Sequence, residues 1–323
     1  MLGDAATKDL REVMVESFIS LAREGMNIAV VVSDSTSTAK ISPFRDQFPE
    51  RLINVGIAEQ SLVGTAAGLA LGGYVAVTAN AAPFLVHRAN EQVKNDVCYS
   101  NTNVKLMGLS AGVCYGALAS THHAIDDVSI MRGFGNILIF APSDPIEAKQ
   151  IFTYALNYEG PVYIRMDSAK FPNIHDDTYV FRPGLPDVLY HGDDITILAM
   201  GSTAHEVVAA RKLLEKDGIS AEIINLPSIR PLERKAIVQS LAKTGLALTV
   251  EEHSQHGGIG SLICEIIAEE GIQCRIKRLG FPEGQFAVSG PRNEMRKYIG
   301  IDAAGIVRTV KEMTRERGHM KAI

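Results

Sequence analysis

Asn54-Val-Gly-Ile-Ala-Glu-Gln60, continuing as Ser61-Leu-Val-Gly-Thr-Ala-Ala-Gly-Leu-Ala-Leu-Gly-Gly73, reads as a strand end, a tight turn and a helix from about Glu59 to Gly72. Glu59 is the one charged residue in the stretch. Gly64, Gly68 and Gly72 recur every fourth residue, which places them on one helical face and leaves a smooth strip for close packing by another backbone. A carboxylate at a helix start is often there only for the favourable field of the helix dipole. Beside such an apolar strip it would be desolvated instead, which raises its pKa and equips it to donate a proton.

Outward from this segment the pattern alternates. Helical spacing in Asp9–Glu24 (Leu10, Val13, Met14, Phe18, Leu21) stops at Gly25, and the β-branched run Ile28-Ala-Val-Val-Val32 suits a buried parallel strand. Downstream, Tyr74–Thr78 reads as a strand, Pro83 opens a helix towards Cys98, and Val104–Leu109 and Ile137–Phe140 are further strands. Asp144-Pro145 starts another helix, with Pro in the first turn, and Val162–Arg165 is a last strand. From Phe171 to Asp193 periodicity lapses around Pro172, Pro183, Gly184 and Pro186, as expected of a linker. Alternation then resumes with strands Ile195–Met200, Ala221–Asn225, Leu246–Glu251 and Cys274–Arg278. Between them fall helices His205–Lys216, Leu232–Lys243 and Ile259–Glu270. Such order predicts an α/β fold of two three-layer α/β/α domains with mostly parallel sheets. The expected division is 1–170, a linker at 171–193, and 194–318.

The 323 residues suit two domains better than one core. A net charge of −5 without a basic stripe argues against nucleic acid. Cys98, Cys114, Cys264 and Cys274 form no C-x-x-C pair, which fits a reducing compartment and no disulfide framework. With no signal-like head and no apolar run long enough for a bilayer, a cytoplasmic protein without membrane contact is expected.

Several segments carry chemistry-bearing residues in order. Phe84-Leu-Val-His-Arg-Ala-Asn-Glu-Gln-Val93 offers a flat aromatic face at Phe84, or simply a core Phe at a helix start; Arg88 and Gln92, four residues apart, suit a structural pair. Ser33-Asp-Ser-Thr-Ser-Thr38 follows a buried strand, at the sheet edge where α/β proteins bind ligands, although such turns are commonly plain loops. Thr121-His122-His123 points adjacent imidazoles in different directions, which disfavours a shared metal. Gly257-Gly-Ile-Gly260 lacks the Lys-Ser/Thr of a phosphate loop and the full dinucleotide fingerprint.

Together these motifs resemble the transketolase family, over nearly the whole chain: a pyrimidine-binding domain, then the family's C-terminal domain. The resemblance implies a thiamine-diphosphate enzyme. Glu59 would meet the aminopyrimidine ring nitrogen and so promote loss of the thiazolium C2 proton, and Phe84 would stack on that ring. Asp34 and Ile57 join the cofactor-binding set, and His122 would bond the donor sugar and relay protons. Thr38, Arg165 and Lys8 would hold substrate phosphate. Relatives place an aromatic where this chain has Ala81, which implies a cofactor pocket that is roomier or filled from elsewhere. They place an acid at Leu118 and a histidine at Ser110, so an atypical or branched ketose phosphate is the expected donor.

One family motif is missing. The diphosphate is held through Mg2+ (or Ca2+) by a G-D-G segment with a later Asn, and the nearest string here is Gly192-Asp-Asp194. The metal ligands must come from another polypeptide. The resemblance therefore implies a half enzyme that transfers a two-carbon ketol unit to an aldose phosphate. It would need a separately encoded N-terminal subunit, in a heterotetramer. Rival readings are a deoxyxylulose-phosphate-synthase-like or 2-oxo-acid dehydrogenase β-type subunit, separable by a pyruvate assay, and a non-catalytic paralogue, separable by cofactor titration.

Overall fold

The computed structural model describes residues 7–283 and 289–321. The first elements of the described residues are β1 (Lys8–Asp9) and α1 (Leu10–Arg23), whose N-cap Asp9 accepts a hydrogen bond from Arg11 N. β2 (Ile28–Val32), buried along its whole length, leads through α2 (Ser42–Gln47) to β3 (Leu52–Asn54). Then come α3 (Glu59–Leu71), β4 (Val75–Ala81), α4 (Ala82–Arg88), α5 (Asn90–Gln92) and β5 (Val104–Leu109). α6 (Asp127–Arg132), β6 (Leu138–Phe140), α7 (Pro145–Asn157), β7 (Val162–Arg165) and β8 (Lys170–Phe171) follow. α7 starts as the sequence predicts: Asp144 caps it by accepting from Glu147 N, and Pro145 fills the first position.

The remainder contains β9 (Asp187–Tyr190), β10 (Ile195–Ala199), α8 (Thr203–Lys216), β11 (Ala221–Asn225) and β12 (Ser228–Arg230). α9 (Lys235–Thr244), β13 (Leu246–Ser254), α10 (Ile259–Glu269) and β14 (Arg275–Phe281) complete the second sheet and its near helices, before α11 (Arg292–Ile299) and α12 (Ala303–Lys321). The first sheet has order β12-β6-β7-β5-β4-β2-β3 and the second β14-β13-β10-β11-β9. All pairings within these two sheets are parallel except those of the edge strands β12 and β9. The α/β fold with mostly parallel sheets is as expected.

Helices cover both faces of each sheet. α1, α2 and α7 bury one face of the first sheet through Phe18, Phe44 and Phe152. α8 and α12 cover the outer face of the second through Val207, Leu214, Ile306 and Val310. A third cluster runs from Leu62, Val86 and Val97 through Met200 and Ile224 to Ile237 and Ile263, so the two halves share one apolar core. At about 25 cal/mol per Å² of apolar surface removed from water, a continuous core of this kind resists hinge motion between the sheets.

Two expectations need correction. The stretch Phe171–Asp193 is not wholly irregular, because Asp187–Tyr190 pairs antiparallel with β11 and closes the second sheet. The helix expected from Pro83 to Cys98 is broken at Ala89, resumes as α5 and passes into a wider π turn over Val93–Tyr99. There Asn90 Nδ2 donates to Val86 O across 3.2 Å, a side chain competing for a helical carbonyl. No helix among the described residues is long and apolar enough to cross a membrane.

Candidate active site

Parallel strands end at one edge of the first sheet, and the loops leaving that edge assemble the site. Asn54, the last residue of β3, receives Asp34 N and Gly56 N on Oδ1, at 3.0 Å each. That carbonyl fastens two turns held at positive φ, +56° at Asp34 and +73° at Gly56. Ser35 Oγ donates to Ala79 O at 2.7 Å and pins the same loop to the end of β4. The side chains of Asp34 and Thr38 remain exposed, and Ile57 is 76% exposed.

Glu59 is the first residue of α3 and is only 5% exposed. Asn80 Nδ2 lies 3.5 Å from its Oε1, and Arg88 Nη1 donates to Oε2 at 3.2 Å. The carboxylate is buried as expected but has a cation beside it. Over Gly68, on the same helix, there is open space, so that part of the glycine strip faces outward within this chain, whereas a Cβ at Gly64 would meet Asp96 Oδ2 at 3.8 Å.

Phe84, in the first turn of α4, carries the Arg88 guanidinium 4.2 Å from its ring centroid. The His122 ring meets Phe84 edge-on at 5.1 Å and Tyr115 at 5.6 Å. His87 bonds Asp126 through Nε2 at 3.1 Å and approaches Pro83 O through Nδ1 at 2.7 Å. The Asp126 contact raises the His87 pKa; against the upward push of burial, His87 in turn holds Asp126 below the usual carboxylate range. Burial pushes the pKa of the neighbouring His123 downward, and its Nε2 bonds Gly116 O at 3.0 Å. A cleft of about 570 Å3 opens here, lined by Phe84, Arg88, Thr121, Asp126, Ser254 and Glu283 among others.

Glu59, Phe84 and His122 therefore join through Arg88 into one constellation, with Asp34 and Ile57 on the adjoining loops. Two expected phosphate ligands do not join it. Arg165 is buried, donating from Nε to Asp127 Oδ1 at 3.1 Å and from Nη2 to Glu252 O at 2.8 Å. Its charge is consumed inside the protein, so it is not a free phosphate clamp. Lys8 faces a groove between α1 and α7, paired with Glu16 at 2.5 Å. Beside Thr38 stands Arg11, whose Nη1 donates to Thr38 O at 3.0 Å and whose other bonds go to Asp9 and Ser168 O. Of five guanidinium N–H groups, one is left over among the described residues.

The three departures from the family pattern fall close by. Leu118 is 52% exposed on a short turn, Ser110 shares a hydrogen bond with Ser168 Oγ at 2.6 Å, and Ala81 precedes α4. Elsewhere, at the junction of the sheets, Glu147, His175 and Asp187 bring ligand-type atoms within 4.8 Å of one another. Their capacity is already used. His175 donates to Asp144 and Asp187 at 2.8 Å each, and Glu147 accepts from Ser143, Tyr179 and Asn225.

Sequence spacing does not single out Arg88, Asn80, Tyr115 or the His87–Asp126 pair. It matches Arg88 to Gln92, because helical spacing sees only neighbours on its own helix. A signal does exist, since a lone buried carboxylate needs a cation from somewhere.

Residues 6–172 match the family model of the transketolase pyrimidine-binding domain, and residues 186–306 that of the transketolase C-terminal domain. An apulose-4-phosphate transketolase subunit of Actinobacillus succinogenes is 58% identical over 92% of this chain and 96% of its own length. 1-deoxy-D-xylulose-5-phosphate synthase 1 of Geobacter sulfurreducens is 35% identical over 94% of this chain but only 48% of its own length. Among solved structures, a split gene transketolase, an inactive beta4 tetramer, superposes with a TM-score of 0.85 at 33% identity. The match covers 96% of this chain and 99% of that one.

Proposed function

Since the chain belongs to the transketolase family, as the half that joins a pyrimidine-binding domain to the family's C-terminal domain, we propose that its donor is apulose 4-phosphate or a ketose phosphate branched in the same way. The reaction is ketol transfer by a split enzyme. The 58% identity with a subunit of an apulose-4-phosphate transketolase, over almost both full lengths, supports this donor, and so do Leu118 and Ser110.

Thiamine diphosphate is the cofactor the family implies, and the residues present fit its pyrimidine end. The observation that carries the fit is the slot between Glu59 and Phe84, which accepts a flat N–H donor: a guanidinium lies there, 3.2 Å from the carboxylate and 4.2 Å from the ring centroid. Bound there, the cofactor supplies a nucleophilic carbon and an electron sink for cleaving the bond beside a ketose carbonyl. Glu59 holds the ring nitrogen by its carboxyl group, from a buried position at a helix start. Phe84 orients the ring by stacking, and Ile57 and Asp34 border it from the adjoining loops. His122, edge-on to Phe84, moves protons at the donor's hydroxyl groups. Thr38, with the spare N–H of Arg11, receives the phosphate end.

The diphosphate and its Mg2+ (or Ca2+) fall to a separately encoded N-terminal subunit, because this chain has no G-D-G segment. The exposed Gly68 face of α3, with Ile57 and Leu71 at its ends, is the surface for that subunit, in a heterotetramer of two copies of each chain. The four cysteines are free, in keeping with a cytoplasmic enzyme.

The test uses this chain with and without the subunit encoded beside it. Two-carbon transfer from apulose 4-phosphate to an aldose phosphate should need both chains, while pyruvate should release no CO2. Turnover by the isolated chain, or pyruvate decarboxylation by the pair, would refute the proposal.

A further inference from the structure

Arg88 has no part in the fold's core or in the chemistry proposed above, yet it occupies the centre of the site. Its side chain is 52% exposed, so nothing in the core obliges it to lie where it does. It stacks on Phe84 and donates to Glu59, the two residues assigned to the cofactor's pyrimidine. A guanidinium is planar, carries N–H groups on its rim and stacks on aromatic faces. A pyrimidine held by a carboxyl group and an aromatic ring uses the same three properties. The ring and the guanidinium therefore compete for one slot.

The same cleft offers Arg88 somewhere else to go. Asp126 and Glu283 line it together with Arg88. Asp126 Oδ2 is taken by His87, but Asp126 Oδ1 is buried without a hydrogen-bond partner among the described residues. A buried carboxylate oxygen left unpaired is costly, and a guanidinium swung from Glu59 would satisfy it.

We propose that Arg88 is a placeholder for the cofactor's pyrimidine: it fills the slot and partners Glu59 in the cofactor-free chain, and leaves for the Asp126 side of the cleft when the ring enters. The inference rests on the reading of Glu59 and Phe84 as the pyrimidine site. Arg88 is then a positioning residue. Its departure lowers cofactor affinity, because a half-exposed ion pair and a stacking contact must be broken first.

The experiment is calorimetric titration of thiamine diphosphate, with Mg2+ present, into the assembled complex of this chain and its partner subunit. Removing both contacts in Arg88→Ala should tighten binding about tenfold, the combined worth of a screened ion pair and a cation–π contact. Arg88→Lys, which keeps the charge but loses the plane, should fall between Arg88→Ala and wild type, and it serves as the second variant if Arg88→Ala assembles poorly. Unchanged or weaker binding in Arg88→Ala would overturn the placeholder, weaker binding by making Arg88 a cofactor ligand. Glu59→Gln and Phe84→Ala separate this from the underlying reading. Both should lose affinity, and if neither does, the pyrimidine site lies elsewhere whatever Arg88 shows.

Discussion

Arg165 donates from Nε to Asp127 Oδ1 across 3.1 Å, with both side chains buried, while Tyr163 donates its hydroxyl to Asp127 Oδ2 at 2.7 Å. Removing one member of such a pair strands the other charge. Asp127→Ala should cost about 3–5 kcal/mol of folding stability, read from denaturant midpoints. Arg165→Lys should likewise lower stability, because a point charge cannot reach Asp127 and the Glu252 carbonyl as a fork does. A variant of Arg165 that weakened substrate affinity with stability intact would restore the phosphate role.

Glu59 is the residue on which turnover should depend most steeply. Glu59→Gln preserves shape but cannot exchange a proton with the ring nitrogen, so ketol transfer by the assembled pair should fall about 10²- to 10⁴-fold. The loss of its ion pair with half-exposed Arg88 should change stability by no more than about 1 kcal/mol. Thermal melts beside the activity assay would expose a folding artefact.

His175 clasps the two halves of the molecule. Against the downward push of burial, its hydrogen bonds to Asp144 and Asp187 lift its pKa from 6.5 to about 10. A folded-state value above the unfolded one means stability that is complete below pH 6.5 and is lost as pH rises towards 10. At about 1.4 kcal/mol per unit, the upper bound is about 5 kcal/mol. The difference in unfolding free energy between wild type and His175→Gln should therefore shrink between pH 6.5 and 10. A difference that stayed constant over this range would show that the imidazole is not charged in the fold.

Leu71 is 78% exposed on α3, and Gly68 on the same helix has open space above it. Neither Leu71→Asp nor Gly68→Leu should lower the melting temperature of the isolated chain. Both should weaken its association with the partner subunit in sedimentation runs. Undisturbed assembly in both would move the interface off α3.

Much of the architecture was legible because it depends on local pattern. β2 is a five-residue apolar run that only a buried strand can use, and Asp144-Pro145 carries its own start signal for α7. The broken helix after Pro83 was not legible. Asn90 bonding back to Val86 O is a choice between two hydrogen bonds of similar energy, and spacing does not decide between them. Lys105 is a similar case: within a strand pattern it looks like a solvent-facing lysine. It lies fully buried, giving its three protons to Asn103, Tyr158 O and Gly160 O, while burial lowers its pKa to about 7.

By itself the sequence determined the alternation of strands and helices, the carboxylate at the start of α3, and the absence of a diphosphate motif. Each is a property of neighbours along the chain, where periodicity and steric preference act. Only the tertiary structure decided which charges meet. Arg165 turned inward to Asp127, Lys8 went to a different groove, Arg88 came to rest on Glu59, and β12 crossed over to complete the first sheet. Ion pairing is settled by the distance and burial of groups far apart in sequence, quantities that exist only once the sheets have packed.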